Sequence, residues 1–218
     1  MINREDRQMS KNNHLEPGEE RRDQIIRIAM ERFATQGYHQ TKISDIVREA
    51  GVAQGTFYWH FKSKEAIASE IVLTGREKLL EAIGQGYRKD AGSVEDMVRA
   101  SERLFTDLFS FAEDNRYFME LLLKGIVSED SVRRLVEETR GAVEQAFRHN
   151  MQRAIELGML PDSMNVPLRA ALLVSMIEGM ITRWLFGSEQ LHSEFSSMSA
   201  TTLAAEAASF EFYGLLGT

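Results

Sequence analysis

Apolar residues recur every three or four positions along most of the chain, and few stretches alternate as a β-strand does. Ile25, Ala29 and Phe33 show this helical spacing near the N-terminus. The pattern therefore predicts an all-α protein. Glycines, prolines and capping residues mark the ends of the predicted helices, which cover about 19–35, 42–50, 54–60, 63–88, 94–111, 115–126, 130–157, 167–186 and 201–215.

The predicted helices suggest that the chain has three parts. Residues 1–18 lack an apolar pattern and are predicted to be a disordered arm. Residues 19–65 hold three short helices, and residues 66–218 form a larger helical domain. A helix over 42–50, a turn with Gly51 and a helix over 54–60 make a helix-turn-helix. Thr41 and Ser63 are the predicted N-caps of the second and fourth helices, and Ala53 gives the third helix no side-chain cap.

The charge differs between the two ends of the chain. The net charge is −7, yet residues 1–64 carry +2 and residues 65–218 carry −9. A basic head on an acidic body favours contact with phosphates through the head.

The chain has no cysteine, which excludes disulfides and fits the reducing cytoplasm. Glu178 and Arg183 interrupt the longest apolar run, so no membrane contact is predicted.

The stretch GVAQGTFYWHFKSK, residues 51–64, has an unusual mixture of aromatic and polar residues. Phe57 and Phe61 are four residues apart and share the buried face of a short helix. Thr56 and the intervening aromatic residues cannot all share that face. Some must point outward beside Lys62, in a pattern typical of a surface that touches DNA.

The segment TKISDIVREAGVAQGTFYWHFKSKEAI resembles the DNA-binding signature of the TetR family of bacterial transcription regulators. The resemblance covers about 45 residues, ending at KSKEAI. Ala53 departs from it, because many members have a serine there. The resemblance implies base or thymine-methyl contacts by Gln54, Gly55, Thr56 and Trp59, a groove contact by Ser44, and phosphate contacts by Thr41, Tyr58, His60 and Lys64. The alternatives are packing of Trp59 on the first helix, a surface role for His60 and backbone capping by Ser44.

The resemblance also implies a homodimer formed through the last two helices, which binds a double-stranded DNA operator. The helix over 167–186 has apolar residues on two sides, so it needs cover on two sides. One row contains Leu168, Ala171, Leu172, Ser175 and Gly179, and the other contains Leu173, Met176, Ile177, Met180, Ile181 and Trp184. A buried central helix in a monomer is the alternative.

A small apolar effector is expected to bind among the middle helices, where methionines adapt to varied ligands. The candidate pocket residues are Leu104, Phe105, Leu108, Phe118, Leu122, Phe147, Met151, Met176 and Met180. Each is also a candidate for ordinary core. Glu178 is expected to pair with Arg183 across the dimer, with a bound cationic drug as the alternative.

Enzymatic chemistry finds no support in the motifs of the chain. The five histidines lack metal-ligand spacing, and neither HExxH, a P-loop nor GxSxG occurs. No cofactor or metal is predicted. The sequence therefore predicts a cytoplasmic, dimeric repressor that a small molecule releases from a palindromic operator. A helix-turn-helix regulator whose body binds a protein partner is the second hypothesis, and a helical-bundle enzyme is the third.

Overall fold

The computed structural model describes residues 17–84, 92–125, 129–187 and 195–214. All regular secondary structure within those ranges is helical, which confirms the predicted all-α class. The helices are α1 (Pro17–Thr35), α2 (Ile43–Glu49), α3 (Gln54–His60), α4 (Lys64–Gly84), α5 (Val94–Asp114), α6 (Arg116–Leu123), α7 (Asp130–Glu156), α8 (Val166–Phe186) and α9 (Ala200–Tyr213). The ends predicted at residues 88, 126 and 215 lie outside the described ranges.

Helices α1, α2 and α3 form the N-terminal head around a common apolar core. Ile25, Ile46 and Phe57 are fully buried there, and Phe61 lies beside them. The turn between α2 and α3 depends on Gly51, whose φ of 64° lies in the left-handed region that glycine adopts without strain. This arrangement confirms the predicted helix-turn-helix and its buried face.

The N-cap of α2 is Lys42, not the predicted Thr41. The backbone N–H of Lys42 donates to the carboxylate of Asp45 at 3.3 Å. The Thr41 hydroxyl instead donates to the Gly37 carbonyl at 2.9 Å, inside the preceding loop. The prediction was wrong because the helix begins one residue later than the sequence pattern indicates.

The caps of the next two helices agree with the sequence. The backbone N–H of Ala66 donates to the Ser63 hydroxyl at 3.0 Å, so Ser63 caps α4 as predicted. Ala53 gives α3 no side-chain cap, and the first turn of α3 closes through the N–H of Thr56 on the Ala53 carbonyl at 2.9 Å.

Helix α4 joins the head to the body. It begins shortly after the end of α3 and contacts α5, α6 and α7. In the body α7 packs on α8 and α9 packs on α5, while α1 of the head also touches α6. The domain boundary at residues 65/66 remains a prediction, since α4 spans it. In the ranges given above, no helix is both long and apolar enough to cross a lipid bilayer.

The two apolar rows of α8 have different environments. Ile177, Ile181 and Trp184 of the second row are buried in the chain's own core. In the first row, Leu168 and Leu172 are 54% and 57% exposed, and Ser175 and Gly179 are exposed beside them. The prediction that one side of α8 is covered by its own domain is confirmed, and the other side is open in the single chain.

Glu178 has a partner within its own chain. Its carboxylate accepts hydrogen bonds from Arg140 of α7, at 3.2 Å from Nε and 2.6 Å from Nη2. Arg183 is exposed one turn further along α8. Glu178 thus forms a bidentate pair within its own chain, because α7 packs directly against this side of α8. The expected pairing with Arg183 of a second copy remains a prediction.

Candidate nucleic-acid interface and effector cavity

Helix α3 presents most of its polar-tipped aromatic residues to solvent. Trp59 is 75% exposed and Tyr58 is 51% exposed, whereas Phe57, on the opposite face of α3, is fully buried in the core. Gln54 and Gly55 at the start of the helix are also exposed, and Thr56 and His60 are half-buried. A side chain at Gly55 would meet nothing within 4 Å. The outer face of α3 is thus a free surface at the tip of the head.

Trp59 packs at one edge on α1, which is the alternative considered from the sequence, and is otherwise exposed. Its ring lies close to Gly18 in the first turn of α1, since a Cβ on Gly18 would be 3.8 Å from two of its ring carbons. Its centroid is 4.5 Å from that of His60. One edge of the indole lies near α1 while most of it stays exposed, so the predicted DNA contact remains compatible with this packing.

The surroundings of His60 disfavour its charged form. Burial, and secondarily the positive charge of Arg22, lower the pKa of the His60 imidazole below its usual value of 6.5. The ring is therefore uncharged at neutral pH. A phosphate contact by His60, which remains a prediction, would use an imidazole N–H without a positive charge.

Lys64 has a structural role that the sequence analysis missed. Its ammonium donates to the backbone carbonyls of Tyr38 at 2.8 Å and Thr41 at 3.1 Å, and lies 4.2 Å from the centroid of the Tyr38 ring. Burial lowers the pKa of Lys64, and the charge of Glu129 opposes that shift. We call this arrangement the Lys64 clamp, since it fixes the loop between α1 and α2 to the start of α4.

A signal for the Lys64 clamp exists in the sequence. A lysine in the first turn of a helix is disfavoured by the helix dipole, so its charge needs another partner. The predicted phosphate contact of Lys64 remains a prediction. Thr41 lies inside the same loop and is fully buried, so its predicted phosphate contact would require the loop to open.

Ser44 and several cations are exposed on α2 and in the loops before α2 and after α3. Ser44, Lys42 and Lys62 are exposed. Arg48 is exposed as well, but its guanidinium pairs with Asp45 at 2.7 Å. An ion pair between Arg32 and Glu49 at 2.5 Å links α1 to α2. The Arg32–Glu49 pair thus links the two helices, and Lys42 and Lys62 are exposed before α2 and after α3.

The comparisons with known proteins agree with this geometry. Residues 25–71 match the sequence profile of the family described as bacterial regulatory proteins, tetR family. Residues 25–71 are therefore a TetR-family DNA-binding segment, which contains α2, α3 and most of α1. The chain is a helix-turn-helix transcriptional regulator.

Relatives with similar sequences match over most of their length. The chain is 27% identical to the HTH-type transcriptional regulator AcrR of Shigella flexneri over 78% of this chain and 81% of the relative. It is 25% identical to the fatty acid metabolism regulator protein of Bacillus subtilis over 77% of this chain and 84% of the relative. Both are transcriptional or metabolic regulators by name, which supports a regulator over an enzyme.

Solved structures show the same fold. The fatty acid degradation regulator FadR of Bacillus halodurans superimposes with a TM-score of 0.72 at 20% identity, covering 89% of this chain and 96% of that one. FadR of Bacillus subtilis, solved with stearoyl-CoA, has a TM-score of 0.68 at 21% identity, covering 88% and 98%. At these identities the comparison establishes the architecture alone.

Phe147 lines two small cavities in the described part of the body. The first, which we call the inner cavity, has a volume of about 70 Å³ and includes the predicted pocket residues Leu104, Phe147 and Met151. The second, of about 30 Å³, includes the predicted residues Leu108, Leu122 and again Phe147. Rotation of the Phe147 side chain would therefore affect both cavities.

The remaining predicted pocket residues are placed differently. Met176 lines a larger groove of about 530 Å³ between α8 and α9, which we call the outer groove. Phe118 faces a cleft of about 760 Å³ between α1, α4 and α6. Phe105 is fully buried in the core, and Met180 is half-buried against it. The sequence analysis missed the polar residues Ser101, Asn150 and Glu211, which also line the inner cavity.

Proposed function

We propose that this chain is a cytoplasmic repressor that binds a near-palindromic operator as a homodimer and is released by a small molecule bound in its body. The observation that carries this proposal is the exposed aromatic face of α3, supported by a head whose α4 continues into a body with internal cavities. The test is to measure binding of the purified protein to the intergenic DNA beside its own gene, with random competitor DNA and over a salt series. Equal affinity for the intergenic DNA and for random DNA would contradict the proposal.

The open side of α8 supports a dimer. Leu168 and Leu172 on α8 and Phe210 and Tyr213 on α9 are large apolar residues that remain exposed in the single chain. Contact between two copies through these helices would bury them. A two-fold dimer would place the two α3 helices in successive major grooves, roughly 34 Å apart.

Replacement of Leu172 by aspartate is expected to prevent dimerisation without unfolding the chain. The side chain is exposed in the single chain, so a charge there costs little, whereas an unpaired charge in the proposed interface costs several kcal/mol. Light scattering should show a monomer. The affinity of the variant for the operator should fall, because a monomer has only one head to bind it. Leu73→Asp is the control, because Leu73 is 43% exposed on α4. Dimers from both variants would contradict the proposed interface.

Thr56→Ala is expected to weaken operator binding by about 1–3 kcal/mol, if its hydroxyl or methyl group contacts a base. Binding to random DNA should be unchanged, because base contacts carry sequence information and phosphate contacts do not. Fluorescence anisotropy on operator and random duplexes measures both affinities. Thr56→Ser separates the hydroxyl from the methyl group. An equal loss on both duplexes would assign Thr56 to phosphate binding instead.

Three polar contacts connect the body to the head and support α4 and α6 as the route of coupling. Tyr117 of α6 donates to the Glu31 carboxylate of α1 at 3.0 Å. Arg22 of α1 pairs with Glu70 of α4. The Ser131 hydroxyl of α7 donates to Glu65 in the first turn of α4.

Ligand binding would act through these contacts by shifting a population. A molecule that fits one arrangement of α6 and α7 better than another would move α4 and change the spacing of the two heads. The coupling energy cannot exceed the difference in ligand affinity between the two arrangements. The outer groove of about 530 Å³ has the volume of a typical ligand site and supports a small-molecule effector, and the exposed apolar face of α8 and α9 is assigned to the dimer.

A further inference from the structure

Arg22, in the second turn of α1, lies against the end of α3. Its guanidinium carbon is 5.4 Å from the centroid of the Phe61 ring. Phe61 is the residue at which α3 ends, and its side chain is buried. A guanidinium over an aromatic face is attracted by the ring. Arg22 therefore contacts the residue that closes α3.

Three consecutive aromatic residues connect this contact to the outer surface of α3. The ring centroid of His60 lies 6.1 Å from that of Phe61 and 4.5 Å from that of Trp59. Burial lowers the pKa of the His60 imidazole, and the positive charge of Arg22 lowers it further. We call Phe61, His60 and Trp59 the aromatic row. It begins at Arg22 and ends at the exposed indole.

Arg22 is itself anchored to α4. Its guanidinium forms an ion pair with the Glu70 carboxylate, and the two side chains are only 37% and 29% exposed. A planar guanidinium can donate to a carboxylate and stack on a ring at the same time, which an ammonium group does less well. Glu70 lies on the helix that continues from the head into the body. The ion pair therefore connects α4 to the aromatic row.

We propose that Arg22 is a positioning residue for operator recognition, which keeps the aromatic row in place because Glu70 of α4 holds its guanidinium. This inference rests on the proposed function and adds to it a residue that acts without touching DNA. A shift of α4 would move Glu70 and draw Arg22 away from Phe61. Trp59 and His60 would then face the operator differently. Effector binding would thus weaken recognition within each head, in addition to changing the spacing of the two heads.

Arg22→Met tests this role, because methionine keeps much of the length of the side chain and removes its charge. Affinity for the operator, measured by fluorescence anisotropy, should fall by about 10-fold or more, as expected when base contacts are impaired. Affinity for random DNA and its salt dependence should stay nearly unchanged, since a positioning residue neutralises no phosphate. Arg27→Met is the control, because Arg27 is exposed on the same helix and the change in charge is the same.

The pKa of the His60 imidazole reports on Arg22 in the absence of DNA. In the Arg22→Met protein this pKa should rise towards 6.5, because a positive charge no longer disfavours the imidazolium. An NMR titration, with the His60 signal assigned from His60→Gln, measures it. Arg22→Lys keeps the charge and should retain the lowered pKa and most of the operator affinity. Equal losses of affinity in Arg22→Lys and Arg22→Met would contradict a role for this charge.

A double-mutant cycle with Glu70→Gln tests the anchor on α4. Glu70→Gln alone should lower operator affinity, and adding it to Arg22→Met should cause little further loss, because the two residues act as one unit. Additive losses would overturn the proposal. Glu70→Gln leaves Arg22 in place, so it gives the decisive comparison if Arg22→Met does not fold. Unchanged operator affinity of Glu70→Gln would then overturn the proposal.

Two further results would reject the role of Arg22. One is unchanged operator affinity of folded Arg22→Met. The other is a fall of about one unit in its salt dependence on every sequence, since Arg22 would then bind a phosphate itself. The wild type tests the proposed function separately. Equal wild-type affinity for operator and random DNA would reject that function, whereas these results beside specific wild-type binding would reject the role of Arg22 alone.

Discussion

Replacement of Lys64 by methionine is expected to destabilise the head and to remove specific operator binding. Methionine fills similar space but cannot donate to the carbonyls of Tyr38 and Thr41, which accept from Lys64 at 2.8 and 3.1 Å. Leaving such acceptors without a donor costs about 1–3 kcal/mol, and loss of the contact with the Tyr38 ring adds about 0.5–2 kcal/mol. Urea unfolding and operator binding by anisotropy measure the two effects.

Lys62 offers a matched control two residues earlier. It is exposed, so Lys62→Met should leave the free energy of unfolding nearly unchanged. If Lys62 contacts a phosphate, the substitution should lower the salt dependence of DNA binding by about one unit on every sequence. Equal stability of the two variants would show that the Lys64 clamp contributes nothing to folding, and that Lys64 acts on DNA alone.

Gly75→Ala is expected to destabilise the protein, although alanine is normally favoured over glycine within a helix. A Cβ at this position of α4 would overlap three carbons of the Phe118 ring from α6. Overpacking of this kind costs about 1–3 kcal/mol, because ring or backbone must shift. Operator binding should also change, since α4 and α6 carry the proposed coupling. Thermal or urea unfolding and anisotropy report the two changes.

Gly141→Ala in α7 is the control for backbone propensity. A Cβ there would meet nothing within 4 Å, so alanine should raise the free energy of unfolding by about 0.5–1 kcal/mol. Adding Phe118→Leu to Gly75→Ala should recover part of the loss by making room for the new methyl group. Similar stabilisation by both alanines would show that the Phe118 ring moves aside freely.

The head could be predicted from sequence because its signals are local. The glycine turn at Gly51, the cap at Ser63 and the four-residue spacing of Phe57 and Phe61 each act within one or two turns of helix. The lysine contact was not predictable in the same way. It depends on the carbonyl directions of the loop between α1 and α2, and these are set by how that loop packs against the start of α4.

The walls of the cavities were predicted only in part, for a related reason. The inner cavity is lined by Leu104, Phe147 and Met151, which were chosen because they are apolar and central, and effector binding there remains a prediction. Phe118 lines a separate cleft between α1, α4 and α6, where its ring lies against Gly75. Arg140 could not be matched to Glu178 without the packing of α7 on α8. Glu211 was missed although its helical spacing from Ala207 was visible.

Leu172 and Phe210 line the outer groove and also belong to the face proposed for the dimer. A molecule in that groove and a second copy of the chain would then compete for, or share, the same two side chains. By thermodynamic linkage, the apparent affinity for effector would depend on protein concentration, and the dimer dissociation constant would depend on effector concentration. The number of repressor molecules per cell would therefore help to set the effector dose at which transcription begins.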